Sequence, residues 1–382
     1  METCVMIKKY SLIELIKYFL KLGTTGFGGP VALVGYMHRD LVEKRKWITD
    51  DDYKEGLALS QLAPGPLAAQ LAIYLGYVDY KIIGATLVGG AFVLPSFLMV
   101  LALGYGYIQY HGLPWMQSMF YGVGAAVIGI IAISSYKLTK KTIGKEWILW
   151  IFFFVLAVTT FLTESENIWL MLAAGFVVWF YKSPPSFKIS SQYFFIHPVL
   201  LQISASISFN EKLVSIWWFF LKAGAFVFGS GLAIVPFLYG GLVKENHWLN
   251  EQQFLDAVAV AMITPGPVVI TVGFIGYLIA GFPGACIAAS ATFLPCYLFT
   301  IIPAPYFKKY GKKPGIKAFV DGVTTAAIGA IAGAVIVLAK RQFVDIPSIA
   351  IAIITIIILL RFKVQEPFII IAAAILGLLV SK

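Results

Sequence analysis

Charge is what this chain has least of. Asp, Glu, Lys and Arg make up 13% of its 382 residues, against 59% hydrophobic residues. A soluble protein of that length needs far more charge to cover its surface. Cysteine is scarce too. Cys4, Cys286 and Cys296 offer no metal-ligand spacing and no disulfide framework, and the four histidines are scattered. No Walker loop, dinucleotide fingerprint or zinc motif occurs. ATP-driven transport by this chain alone is therefore not expected, nor is a cofactor or a metal. No cleavable signal peptide is evident. Residues 1–20 mix Lys8, Lys9, Glu14 and Lys17 with Leu and Ile, an amphipathic lead-in.

What is there is apolar and long. Mean hydropathy is +0.85. Runs at 81–108, 115–136, 146–163, 283–305 and 318–339 approach or exceed the length that crosses a bilayer. They are continuous and do not alternate, which excludes a transmembrane β-barrel. The predicted fold class is all-α, a polytopic membrane protein. A net charge of +10 would suggest nucleic acid in a soluble protein. In a membrane protein basic residues gather in cytoplasmic loops and fix orientation, so the expected partner is the lipid bilayer and not nucleic acid.

The chain is one module written twice. Residues 19–30 read F-L-K-L-G-T-T-G-F-G-G-P, and 220–231 read F-L-K-A-G-A-F-V-F-G-S-G. Trp47 answers Trp248, Pro64-Gly65-Pro66 answers Pro265-Gly266-Pro267, and Pro95 answers Pro295. The offset is 201 residues, slipping to 200 by Gly76-Tyr77 and Gly276-Tyr277. The expected organisation is a first membrane repeat at 1–181, a linker at 182–212 carrying Ser183-Pro184-Pro185-Ser186, and a second repeat at 213–382. Six apolar segments fall in each half. If all cross, loop Lys and Arg divide evenly between the two faces, against the usual bias. If the second segment of each half, the one holding Pro-Gly-Pro, returns to its own side, each half crosses five times and the basic residues gather on one face. An odd number of crossings inverts the second half. Loop 108–115 has no basic residue and its counterpart 308–315 has four, which fits opposite faces. Inverted repeats with re-entrant segments are therefore expected.

The Gly/Pro breaks are the candidate site. Gly26, Gly28, Gly29 and Pro30 interrupt one apolar run, and Gly229 and Ser230 answer them. Proline removes a helix donor and clashes with the preceding turn. Freed backbone groups at membrane depth must face protein or a water-filled cavity. A half-helix starting near Gly29 or Pro30 would point amide donors at an anion. Pro64, Gly65 and Pro66, preceded by Gln61, recur as Pro265, Gly266 and Pro267, preceded by Thr264. Packing kinks are the alternative for both motifs. Lys21 and Lys222 stand just before the glycine breaks, to pair with an anion or to snorkel to the interface. Glu55 and Asp256 correspond in the two halves; each caps a helix start or binds a coupling proton. Arg39 follows the first broken segment and is either a vestibule residue or ordinary loop charge.

Gly26-Phe27-Gly28-Gly29-Pro30, Arg39, Trp47 and Gln61-Leu62-Ala63-Pro64-Gly65-Pro66, doubled 201 residues on, resemble the chromate ion transporters in their long, two-copy form. The resemblance covers nearly the whole chain. It implies a carrier in the cytoplasmic membrane that exports chromate, driven by protons or membrane potential, with sulfate as a competitor. The second copy departs from the pattern at Ser230 and Gly231. The reading is a secondary active oxyanion transporter and not an enzyme. A carrier for sulfate or another anion, or a channel, is the alternative, and a homodimer is left open.

Overall fold

The computed structural model describes residues 10–184 and 211–380, apart from 28, 111–113, 164–166, 227, 230–233, 311–312, 344, 363 and 365. Helix α1 (Leu12–Thr25) starts on Ser11, whose hydroxyl caps Glu14 N–H while Glu14 reaches back to Ser11 N–H. It stops at Gly26, where the backbone becomes extended. Helix α2 (Gly29–Met37) then runs back beside α1 and continues as a π-helical turn, His38–Lys44. Two contacts establish the return. The Tyr18 hydroxyl donates to the Tyr36 carbonyl at 3.3 Å, and the Tyr10 ring stacks on Trp47 at 5.0 Å.

The next segment folds the same way. Helix α3 (Asp50–Leu62) precedes the short strand β1 (Gly65–Pro66), and α4 (Leu67–Tyr110) follows. Gly56 lies against Tyr74, so a Cβ there would sit 2.3 Å from the ring. The Tyr80 hydroxyl closes the hairpin on the Tyr10 carbonyl at 2.7 Å. Helix α4 folds sharply at Lys81, where φ is 52°, and Gly76 packs directly on Gly84. Residues 82–110 are then a long apolar helix leading away from this face.

Both broken segments are therefore hairpins opening on the face that holds Tyr10, Trp47 and Tyr80. The sequence expectation had only the second one returning. That is corrected: the first turns back at Gly26 as well, so five crossings per half does not describe the chain and the odd-number argument for inversion falls with it.

The second half repeats the plan. Helix α8 (Glu211–Ala225), strand β2 (Phe228–Gly229), α9 (Val235–Tyr239) and the π-helical turn Gly240–Glu245 form its first hairpin. Phe219 meets Trp248 at 5.7 Å across it. Helix α10 (Glu251–Ile263), a 3-10 turn (Val268–Ile270) and α11 (Thr271–Ile301) form the second. The Thr271 hydroxyl reaches the Ala257 carbonyl at 2.8 Å, and α11 folds at Ala280–Gly281. A short helix, α12 (Ala304–Tyr310), follows.

The remaining helices exchange partners between halves. Helix α5 (Pro114–Thr142) packs on α14 (Ile346–Arg361) and α15 (Glu366–Val380), while α13 (Pro314–Gln342) packs on α6 (Trp147–Thr163) and α7 (Ile168–Lys182). Small residues allow the approach: a Cβ on Gly122 would lie 2.0 Å from the Ala373 carbonyl oxygen, and one on Gly333 2.3 Å from that of Ala157. At one end Lys182 ties α7 to Glu146 and Asp321, at 2.5 and 3.4 Å. Corresponding long helices run antiparallel. Thr86, early in 82–110, meets Tyr297, late in α11, at 2.6 Å. Tyr121, early in α5, accepts from Gln342 at the end of α13. Among the described residues, four stretches are long and apolar enough to cross a membrane, within Leu67–Tyr110, Gln117–Lys137, Val268–Phe307 and Pro314–Lys340. The two repeats are thus interleaved and are not two separate bodies.

Candidate functional site

The four breaks meet at one junction, each paired with a break of the other half. β1 and β2 pair in parallel, Gly65 opposite Phe228 and Pro66 opposite Gly229. In the reciprocal contact, Gly266 N–H donates to the Gly26 carbonyl at 2.9 Å. Regular helix cannot pass the two Pro-Gly-Pro points, since prolines flank Gly65 and Gly266. Gly65 has φ +141° and Gly266 φ +95°, conformations open to glycine and costly for other residues. Two buried side chains brace the crossing. Gln70 Nε2 donates to the Pro64 carbonyl at 2.8 Å, and Gln70 Oε1 has no hydrogen-bond partner among the described residues. The Ser96 hydroxyl donates to the Gly23 carbonyl at 3.2 Å and lies where a side chain on Gly266 would go.

The structure brings together Gly26, Pro64, Gly65, Pro66, Gly229, Pro265, Gly266 and Pro267. Gly29 and Pro30 open α2. Gly28 and Ser230 lie outside the described residues. Thr264 is buried, and its hydroxyl donates to the Val260 carbonyl at 2.7 Å. Gln61 is exposed, as are Lys21 and Lys222. Toward the break the exposed residues of α1 are polar, namely Lys17, Lys21, Thr24 and Thr25. On α8 Trp218 is exposed and Ala225 and Phe226 are half-buried at the corresponding positions, so Lys222 stands among apolar neighbours. Arg39 is not at the junction; it pairs with Asp40 at 3.0 Å and lies over the Tyr36 ring at 5.1 Å.

Capping by Glu55 and Asp256 is corrected. Thr49 and Asn250 are the N-caps of α3 and α10. Glu55 and Asp256 lie in the second turn, beyond the orphan amides that a cap serves. Glu55 is half-buried and hydrogen-bonded by Tyr74 of the same half. Asp256 is buried and accepts from Tyr107 of the other half at 2.7 Å and from Gln252 at 2.8 Å. Tyr107, Gln70 and Ser96 escaped the sequence reading. The one signal was a polar side chain within an apolar run, next to Pro95 in the case of Ser96.

Broken hairpins that meet at their tips inside an apolar helical bundle define a multi-pass membrane transport protein, resident in the cell membrane. The profile described as "Chromate transporter" matches the chain twice, at residues 13–179 and 214–378. The chain belongs to the chromate transporter family. It is 68% identical to the chromate transport protein of Cupriavidus metallidurans, over 97% of this chain and 93% of that protein. It is 61% identical to a probable chromate transport protein of Synechococcus elongatus, over 97% of this chain and 96% of that one. A half-length relative, the uncharacterized transporter YwrA of Bacillus subtilis, is 30% identical over 44% of this chain and 98% of its own length. No solved structure matches the chain.

Proposed function

We propose that the protein exports chromate across the cytoplasmic membrane, coupled to protons or to the membrane potential, with sulfate as a competing dianion. The observation that carries the reading is the junction of the four breaks. Unwound backbone at membrane depth is tolerated where it is buried in protein or lines a solute path, and paired breaks of two repeats mark solute sites in transporters. The Gly266 N–H is already bonded to Gly26. The start of α2 at Gly29 offers a helix terminus to an anion. Lys21, on the polar face of α1, supplies charge on the approach. Glu55 and Asp256 are the candidate proton carriers.

The halves are inverted with respect to the membrane in this reading. The antiparallel Thr86–Tyr297 and Tyr121–Gln342 contacts support it. So does the gathering of Arg39, Lys44, Arg45, Lys137, Lys145 and Lys182 at the ends of helices that reach the Tyr10 face, which is then cytoplasmic. Because the last helices are exchanged, the hairpin layer moves against the interleaved helices, in place of one repeat rocking on the other. Chromate uptake into inverted vesicles, with and without an imposed pH gradient, tests the proposal. Uptake that needs the gradient and is inhibited by sulfate is expected. Uptake indifferent to both pH gradient and membrane potential would indicate a channel, and sulfate uptake without chromate uptake would name another carrier.

A further inference from the structure

The two faces of the junction are closed differently. Away from the Tyr10 face, Asp256 is 3% exposed and is held by the Tyr107 hydroxyl, a bond between the two halves. The Tyr107 ring packs on Phe274 at 5.5 Å and Phe120 at 5.7 Å. Helix α10 is buried from Phe254 through Met262. On the Tyr10 face the repeat puts Phe307 where Tyr107 would be and Glu55 where Asp256 would be. Phenylalanine has no hydroxyl to make that bond. An apolar crevice of about 240 Å³ lies there instead, between Leu59, Leu62, Phe299, Phe307 and Ile316, and it reaches Pro64 of the break.

We infer that the Tyr107–Asp256 hydrogen bond is the latch that shuts the far face of the path, and that the structure is closed there and open toward the Tyr10 face. This rests on the reading above that the hairpin layer moves against the interleaved helices during transport. The bond joins an ionisable acceptor in the second half to a donor on the long helix of the first half. Any separation of these elements must break it. A buried hydrogen bond has no water to replace it as the elements begin to part, so its loss opposes opening. The bond ties the two halves together at the far face, whereas at the near face Glu55 is hydrogen-bonded by Tyr74 of its own half and Phe307 offers no hydroxyl across.

Cysteine labelling tests the latch without using transport. Leu62→Cys and Ile263→Cys mark equivalent positions beside the two Pro-Gly-Pro motifs, in a chain whose three native cysteines are replaced. A membrane-impermeant maleimide is applied to one face at a time. Leu62→Cys is expected to label from the Tyr10 face, and Ile263→Cys to resist labelling from the far face. Adding Tyr107→Phe or Asp256→Asn is expected to raise Ile263→Cys labelling several-fold, up to about tenfold, the scale of losing one hydrogen bond. Tyr107→Phe decides alone if Asp256→Asn fails to fold, because phenylalanine already stands at 307. Unchanged labelling in Tyr107→Phe, or Ile263→Cys as reactive as Leu62→Cys before the change, overturns the latch. Loss of chromate flux with the labelling pattern intact would count against the transport reading and leave the latch standing.

Discussion

Gly266 donates its backbone N–H to the carbonyl of Gly26 at 2.9 Å, so the Pro-Gly-Pro of one half is bonded to the glycine break of the other. The contact needs Gly266 in a left-handed conformation and leaves no room for a side chain there, since a Cβ would lie 2.0 Å from Ser96 Oγ. Gly266→Ala and Gly65→Ala are therefore expected to destabilise the protein by about 1–3 kcal/mol each. Gly90→Ala, on an exposed helical position with nothing within 4 Å, serves as the control and should be neutral or slightly stabilising. Thermal unfolding of the purified variants checks this. Equal melting temperatures for all three would show that the junction is loosely held.

Lys21 and Lys222 occupy equivalent positions, but their surroundings differ. Lys21 shares a polar face with Thr24 and Thr25, whereas Lys222 lies beside Trp218. Lys21→Ala is expected to weaken apparent chromate affinity by about tenfold, or ~1.4 kcal/mol, and Lys222→Ala by clearly less. Sulfate inhibition should weaken in parallel with chromate uptake. Lys21→Arg should restore part of the loss, because it keeps the charge while altering donor geometry. Uptake kinetics in inverted vesicles decide. Unchanged kinetics in Lys21→Ala would mean that the lysine only snorkels.

Asp345 caps α14 and accepts from the Tyr121 hydroxyl and from Ser348 N–H, the latter at 2.9 Å. These hydrogen bonds, Tyr121 first, hold its carboxyl below the usual value. A depressed folded-state pKa stabilises the fold above the ordinary carboxylate value, and the benefit disappears as pH falls through the depressed one. The melting temperature of Asp345→Ala should therefore lie below that of the unaltered protein at neutral pH, with the gap narrowing as the solution is acidified below the ordinary range of about 4. A gap that stays constant or widens in acid would show that the carboxylate charge is not what caps α14.

Much of this arrangement was legible in the sequence, because repetition and helix breaking leave local marks. The doubled Pro-Gly-Pro, the glycines at 26–29 and the long apolar runs each declare themselves within a few residues. The return of the first hairpin does not. A broken apolar stretch reads the same whether the chain crosses or turns back, and only the Tyr18–Tyr36 and Tyr10–Trp47 contacts distinguish the two. The pairing of each break with the opposite half is a long-range choice, and so is the exchange of α14 and α15 onto α5. Glu55 and Asp256 resemble caps until Thr49 and Asn250 are found in that role. Gln70 and Ser96 became visible only once the carbonyls of Pro64 and Gly23 were placed beside them.

The central claim is that the crossed breaks hold the transported anion. Equilibrium binding of chromate to the purified protein tests it most directly, with Pro64→Ala and Pro265→Ala measured beside the unaltered chain. Each alanine removes one of the two prolines that set the break and adds a backbone N–H there, altering how its amides are presented. The unaltered protein should bind chromate saturably and release it to sulfate. Both variants should lose at least about tenfold in affinity, while expression and melting temperature change little. Full chromate affinity in both variants would contradict the account and place the anion elsewhere in the protein.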